Sequence, residues 1–414
     1  MRQVGSGAST VRYPRSVLVV VTRRIGDVLL ATPLIRSIKA AWPEASIDAL
    51  VFAGTEGVLE GNPDLRKVLA IAERPRRWAH ARFIAGLAWR YDVALSCQAG
   101  DRATLYAWIA GRMRIGLVEP ARTALWKSVL LSRTVALDDF DTHAVATDLA
   151  LADALGIAPR HEVVVSWSRE DETRATSLLA GRTAGARYAV LHVHPKFNYK
   201  MWHADGWIRL AEWLVDHGLT PVLTGSSDSA EVAFVHALAA RMPSSTINLA
   251  GQTTLAETAS LIAGASLFVG PDTVTTHVAA ALSVPTVALF GPSNPVRWGP
   301  WPQGFHVAAS PKGTLDTEQK SSPAPLSPWR RVGTQEVAHV HLVQGRGACV
   351  PCRNEGCDRH VRSYSACLQQ MPAETVIAAV EAALGRVPNG RAGRHSEPAA
   401  GLPRHAEPDG GLPI

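Results

Sequence analysis

The sequence predicts an α/β protein made of two parallel, doubly wound units that face each other across a cleft. Three observations predict it. Short apolar strands alternate with helix-patterned segments through the first part of the chain, the same alternation restarts near residue 187, and the later strands each stop at a glycine. A length of 414 residues suits two domains or more.

The elements follow in order. "SVLVVVT" (16–22) reads as a buried strand, and residues 27–42 carry apolar side chains at helical spacing with Pro33 as a kink. Residues 46–52, 66–72 and 91–97 read as further strands. The stretch around 160–186 joins the units, so the first spans 15–165 and the second 186–384. The second opens with a strand at 187–193 and an amphipathic helix at 204–218 that ends at Gly218. Strands follow at 220–225, 245–251, 265–270 and 284–291, and a helix at 373–384 closes the unit. Residues 1–14 read as a flexible N-terminus and 310–335 as a long mobile loop. "RHSEPAAGLP" is followed at once by "RHAEPDGGLP" within 385–414, which reads as a disordered tail.

The chain is 47% apolar and 19% charged, a soluble globular balance. No apolar run reaches the roughly 20 residues needed to cross a bilayer. "SVLVVV" is too short for a signal-peptide core and runs into "TRRIGD", so a cytoplasmic location is expected. A net charge of +6 favours acidic partners. Much of the basic charge falls in 66–133 and is densest in "ERPRRWAHAR" (73–82). A basic stretch is ordinarily a solvated face. No helix-turn-helix, zinc-finger or RNA-binding signature points to nucleic acid. A phosphorylated substrate or an anionic membrane surface suits the charge.

Two stretches carry chemistry. "VTRRIGDVLLATP" (21–33) places Asp27 between strand and helix, where it serves as an N-cap or as a catalytic base. "VGPDTVTTHVAAALSVPTVALFGPSNPVRWGPW" (269–301) places Asp272 in the same setting. Capping is the ordinary role there, and it is compatible with phosphate binding by the free N–H groups of the helix start. Thr273 adds a hydroxyl, and His277 lies four residues on, hence on the same helical face. "TGSSDSAE" (224–231) ends a strand, and Asp228 or Glu231 there suits ribose hydroxyls or simply a helix start.

Together with "YKMW" (199–202), these two stretches resemble glycosyltransferase family 9, the bacterial ADP-heptose heptosyltransferases. The resemblance implies a GT-B fold of two facing Rossmann-like domains and an inverting transfer that needs no cofactor. It implies that Lys200, Asp272, Thr273, the N–H of Val274 and His277 hold the donor diphosphate, with Thr253 near the adenine. A fixed ammonium and helix N–H groups stabilise the departing diphosphate without a metal. It implies that Asp27 faces the acceptor as general base, ionised if its pKa stays near the reference value of about 3.9. Gly26 is expected to let the backbone turn tightly there. Arg23, Arg24, Arg76 and Arg77 would bind acidic groups of the acceptor. The sequence departs from the family at Val274, where glycine is usual, and at His194 and Pro195.

Four of the five cysteines crowd together as Cys349, Cys352, Cys357 and Cys367. The C-x2-C start is a metal-ligand spacing, whereas the x4 and x9 gaps are not a standard zinc pattern. The cluster resembles that of the autotransporter heptosyltransferases, a branch with an iron held by four cysteines, and so implies a structural zinc or iron. Cys97 reads as core packing. The expected activity is heptose transfer from ADP-heptose to the inner core of lipopolysaccharide or a related acidic, lipid-linked glycan. The protein would work at the inner face of the inner membrane, with peripheral membrane contact. A protein acceptor and a catalytically silent sugar-nucleotide binder are the alternatives.

Overall fold

A computed structural model describes residues 13–119, 125–183, 186–307 and 326–385. The N-terminal sheet has six strands in the order β3-β2-β1-β4-β5-β6. They are β1 (Ser16–Val21), β2 (Ser46–Phe52), β3 (Lys67–Ile71), β4 (Tyr91–Ser96), β5 (Gly111–Val118) and β6 (Arg133–Ala136), all parallel. This is the doubly wound order whose switch point lies between β1 and β4. The central strand β1 reads as an unbroken apolar run because helices cover both faces, whereas β3, β5 and β6 toward the edges carry exposed and charged residues. On one side pack α1 (Ile25–Leu30), α2 (Thr32–Ala41) and α6 (Ala144–Leu155); on the other, α3 (Arg77–Leu87), α4 (Asp101–Ala110) and α5 (Leu125–Leu130).

The C-terminal sheet has seven strands in the order β12-β13-β11-β10-β7-β8-β9. Its parallel strands are β7 (Arg187–His192), β8 (Leu219–Thr224), β9 (Ile247–Asn248), β10 (Leu267–Pro271), β11 (Thr286–Phe290) and β13 (Val340–Gln344). An antiparallel edge strand, β12 (Gln335–Val337), closes it. The helices are α7 (Arg169–Leu179), α8 (Ala204–Asp216), α9 (Ser229–Ala239), α10 (Leu255–Ala263), α11 (Val274–Ala281), α12 (Pro295–Trp298), α13 (Ala366–Gln369) and α14 (Ala373–Gly385). α8 ends where Gly218 takes φ +73°, the left-handed geometry that favours glycine. α7 lies in the stretch read as a joiner, yet it packs on α10 through Ala175, with Val222, Ile247 and Leu261 beneath.

Several expectations are corrected. The helix read over 27–42 is two helices, since α1 stops at Leu30 and Pro33 sits in the first turn of α2. A proline has no N–H to give to the preceding turn, so it starts a helix more readily than it continues one. The strand read over 245–251 is only β9, two residues long. Of the loop read over 310–335, residues 310–325 lie outside the described residues, as do 1–12 of the N-terminus and 386–414 of the tail. Within 326–334, Ser327 and Trp329 are buried and anchor the segment, the Trp329 indole N–H donating to Pro300 O at 2.9 Å. Cys97 is buried in the N-terminal core, as its setting suggests.

Candidate active site

The N-terminal wall is the loop between β1 and α1. Val17 to Val20 are fully buried, which holds the strand in place and delivers Arg23, Arg24 and Asp27 to its C-terminal end. Arg24, not Asp27, is the N-cap of α1, so Asp27 stands in the first helical turn. The cap role considered for Asp27 is thereby overturned. Gly26 is also helical; it does not take a left-handed turn. A Cβ on it would meet His277 Cδ2 at 3.9 Å, an ordinary contact, so its place reflects the approach of α1 to α11. The Asp27 side chain is 16% exposed, and Arg23 Nε lies 3.5 Å from its Oδ1. Burial raises the Asp27 pKa above the usual carboxylate value, against the opposing charges of Arg23, Arg24, Arg297 and Lys200. The expectation of an unperturbed acid near 3.9 is therefore corrected.

The C-terminal wall lies at the ends of β7, β10 and β11. Lys200 sits in a 3-10 turn before α8, where Trp202 anchors the chain by donating its indole N–H to Met371 O at 2.8 Å. Lys200 Nζ is 2.6 Å from Asp272 Oδ2 and donates to Asp272 O at 3.1 Å. Ser293 Oγ donates to the same carboxylate at 2.6 Å. Burial works to raise the Asp272 pKa, but the Lys200 and His277 charges and these hydrogen bonds outweigh it and hold the carboxyl low. His277 Nε2 is 4.0 Å from Asp272 Oδ1, while burial brings the imidazole down to about 4 and keeps it neutral. Thr273, not Asp272, is the N-cap of α11, and Val274 is its first residue. The cap reading of Asp272 is thus off by one position, which frees its carboxylate for Lys200. Thr276 N donates to Thr273 O at 3.2 Å, while the N–H groups of Val274 and Thr275 stand at the open helix start, a setting that favours anions.

Residues 80–325 match glycosyltransferase family 9 (heptosyltransferase). The chain belongs to glycosyltransferase family 9. It is 28% identical over 292 residues to lipopolysaccharide heptosyltransferase 3 of Escherichia coli K12, covering 68% of this chain and 83% of that relative. Its fold is similar to that of a glycosyl transferase family 9 protein from Veillonella parvula, with TM-score 0.69, 18% identity and coverage of 91% and 99%. It is also similar to E. coli heptosyltransferase WaaC, solved with ADP, with TM-score 0.63, 20% identity and coverage of 89% and 99%. The family membership makes the chain a glycosyltransferase, and the two facing parallel sheets are the GT-B architecture.

Other residues read as family 9 site positions fall variously. Asp228 is spent as the N-cap of α9, accepting from Ala230 N and Glu231 N. Glu231 is buried and accepts from Ser226 N and Ser226 Oγ. Both therefore hold the loop after β8 in shape. Thr253 Oγ1 lies 2.9 Å from Thr258 Oγ1 at the start of α10. Arg76 caps α3 and Arg77 begins it, both exposed beyond edge strand β3. A cavity of about 400 Å³ at the ends of the N-terminal strands is lined instead by Thr22, Phe52, Arg74, Gln98 and Arg102, among others.

The residues that sequence reasoning missed are Ser293, Arg297 and Asp148. Arg297 crosses from α12 into the N-terminal domain, where its Nη1 donates to Thr147 Oγ1 at 2.5 Å and to Thr142 O at 3.2 Å. Asn294 Nδ2 donates to Phe140 O at 2.7 Å, and His143 Nε2 lies 2.8 Å from Gly299 O. Asp148, on α6, is raised well above the usual range by burial; Arg297 opposes this and Asp27 adds to it. Ser293 and Arg297 stood in the quoted "GPSNPVRW" stretch, but spacing alone carried no sign of where they reach.

Proposed function

We propose that this chain moves a heptose from ADP-heptose, with inversion, to the inner core of lipopolysaccharide or a related acidic glycan. The observation that carries the reading is the meeting of Asp27 with the Lys200–Asp272 pair across one cleft. The α1 and α11 helices touch there, and the Lys200 charge acts on Asp27. The names of relatives such as lipopolysaccharide heptosyltransferase 3 of E. coli support the donor and acceptor class. In the proposed reaction the acceptor hydroxyl gives its proton to the Asp27 carboxylate as its oxygen attacks the anomeric carbon. The bond to the diphosphate breaks, and ADP leaves with the electron pair. Lys200 and the α11 N-terminus offset the growing negative charge, with Thr273 and His277 at the same helix end. Arg23, Arg24, Arg74 and Arg102 suit acidic groups of the acceptor. The test is turnover with several nucleotide sugars, read by nucleotide release. ADP-heptose should be the preferred donor. Release from none of them would favour the silent reading.

Arg297 supplies a sharper check. Its positive charge lowers the Asp27 pKa. Arg297→Gln should therefore move the acidic limb of the kcat/KM profile to higher pH, and Arg297→Lys should move it less. An unmoved limb in Arg297→Gln would mean that Asp27 does not set that limb.

A structural zinc or iron at Cys349, Cys352, Cys357 and Cys367 is part of the same reading. The Cys367 thiol is pushed up to about 11 by burial and then by the charges of Cys352, Cys349 and Cys357. Thiols that burden one another in this way are a donor set that a soft cation relieves. Among the described residues, no three His, Cys, Asp or Glu side chains already stand as a metal-holding group. The support is thus the type and nearness of the donors. Bound metal would tie this segment to the rest of the C-terminal domain. Protein purified without added metal should carry about one zinc or iron per chain by elemental analysis. Cys349→Ser with Cys352→Ser should remove it and lower Tm. Metal-free protein with all five thiols titratable would rule the site out.

A further inference from the structure

The helices α3, α4 and α5 cover the outer face of the N-terminal sheet. The apolar layer beneath them, with Leu18, Val20, Leu50 and Tyr106, is separate from the larger core that runs on into the C-terminal domain. This face therefore has sheet behind it, and among the described residues nothing packs on its outer side. Its outward residues are unusual for a soluble surface. Trp78 is 66% exposed, Leu125 66% and Val129 83%, and Leu105, Trp108 and Trp126 join them. On α4, Leu105 and Trp108 share one stripe with Arg102, following helical spacing, while Ala103, Tyr106, Ala107 and Ala110 point into the core.

The same helices and the chain beside them also carry exposed basic groups. Arg82, Arg90, Arg102 and Arg112 are exposed, and the Arg114 guanidinium lies 5.6 Å from the centre of the Trp89 ring. The acid on the α4 stripe, Asp101, is neutralised by Lys127 at 2.9 Å. Indole rings prefer the headgroup level of a bilayer, and arginine can lay its stem on apolar surface while its head reaches phosphate. A second copy of the chain on this face would oppose arginines to arginines, which like-charge repulsion disfavours. An anionic lipid surface satisfies both the apolar and the basic groups at once.

The face also adjoins the cleft. α3 begins after β3 and α4 after β4, at the sheet edge where the Asp27 loop leaves β1, and Arg102 of α4 lines the cavity there. We propose that the α3–α4–α5 face is a docking surface for an anionic lipid bilayer, which presents a lipid-linked acceptor to the cavity. The docking stands on the surface itself; only its purpose rests on the proposed acceptor.

The test uses the full chain with sucrose-loaded vesicles and neither donor nor acceptor present. The protein should sediment with vesicles containing phosphatidylglycerol, stay in the supernatant with pure phosphatidylcholine, and be released by raised salt. Leu125→Asp with Val129→Asp should weaken vesicle binding about tenfold or more, and Trp108→Ser should weaken it too. ADP release with a lipid-free acceptor should be unchanged in these variants, which also shows that they fold. No sedimentation with the anionic vesicles, equal sedimentation with both kinds, or wild-type binding by all the variants overturns the proposal. Normal vesicle binding without turnover of any sugar donor would count against the proposed function and leave the docking surface standing.

Discussion

Asp27→Asn should lower kcat by about 10²–10⁴-fold, the range for loss of a general base, while ADP affinity stays near that of the wild type. The substitution keeps the shape of the side chain and removes its ability to take a proton. It should not disturb the fold through loss of a cap, because Arg24 holds that position. In the proposed reading the donor side is Lys200, Asp272 and the start of α11, on the opposite wall, so nucleotide binding should be spared. Steady-state turnover and calorimetry on the same preparation separate the two effects. Turnover within a few-fold of wild type would reduce Asp27 to a helix residue paired with Arg23. The pH profile adds a check: the raised Asp27 pKa predicts an acidic limb above the usual carboxylate range, with activity lost as pH falls through it.

Lys200→Ala should weaken ADP binding by about 10- to 100-fold, as expected for loss of hydrogen bonds from a charged donor. It should also lower stability at neutral pH, because the buried Asp272 carboxylate would keep only Ser293 as a side-chain partner within hydrogen-bond range. The Asp272 carboxyl is held low in the folded chain, so the stability it contributes is present above its unfolded value of about 3.9. That stability is lost as pH falls through the lower folded value. The Tm gap between wild type and Lys200→Ala should therefore narrow on acidification below about pH 4. An unchanged ADP affinity would place the phosphates elsewhere.

Much of the candidate site was legible in the sequence, but with positional errors that share one cause. Asp27 and Asp272 each stand at a strand-to-helix junction, where capping is the common role, and in each case a neighbour occupies the N-cap position. Arg24 and Thr273 take the extended backbone geometry of a cap, which leaves each carboxylate free to meet a cation from elsewhere. A cap is a local event, but the choice between adjacent residues depends on what approaches from the other domain. Asp228 shows the reverse: a residue considered for ribose is spent on its own helix start.

The Arg–Arg pair at 76 and 77 illustrates a second limit. Charge density marked the segment that holds Arg76 and Arg77, yet Arg74 and Arg102 line the cavity, one from the loop before α3 and one from α4. Such convergence depends on strand order, because β3 and β4 are not neighbours. Arg297 is the extreme case, with its partners Thr142 and Thr147 some 150 residues away along the chain.

By itself the sequence determined the class of fold, the positions of most of the central buried strands, and the two loops that bear Asp27 and Asp272. These follow from local causes: continuous apolar runs bury as parallel strands, and glycine and proline punctuate them. Only the tertiary structure decided which charges meet. It placed Lys200 against Asp272, set Arg297 between the domains, raised Asp27 and kept His277 neutral. It also left the tryptophans of α3, α4 and α5 exposed on a face that none of the described residues covers. The physical reason is that desolvation and Coulomb interaction depend on distance and burial in space, and the sequence carries neither.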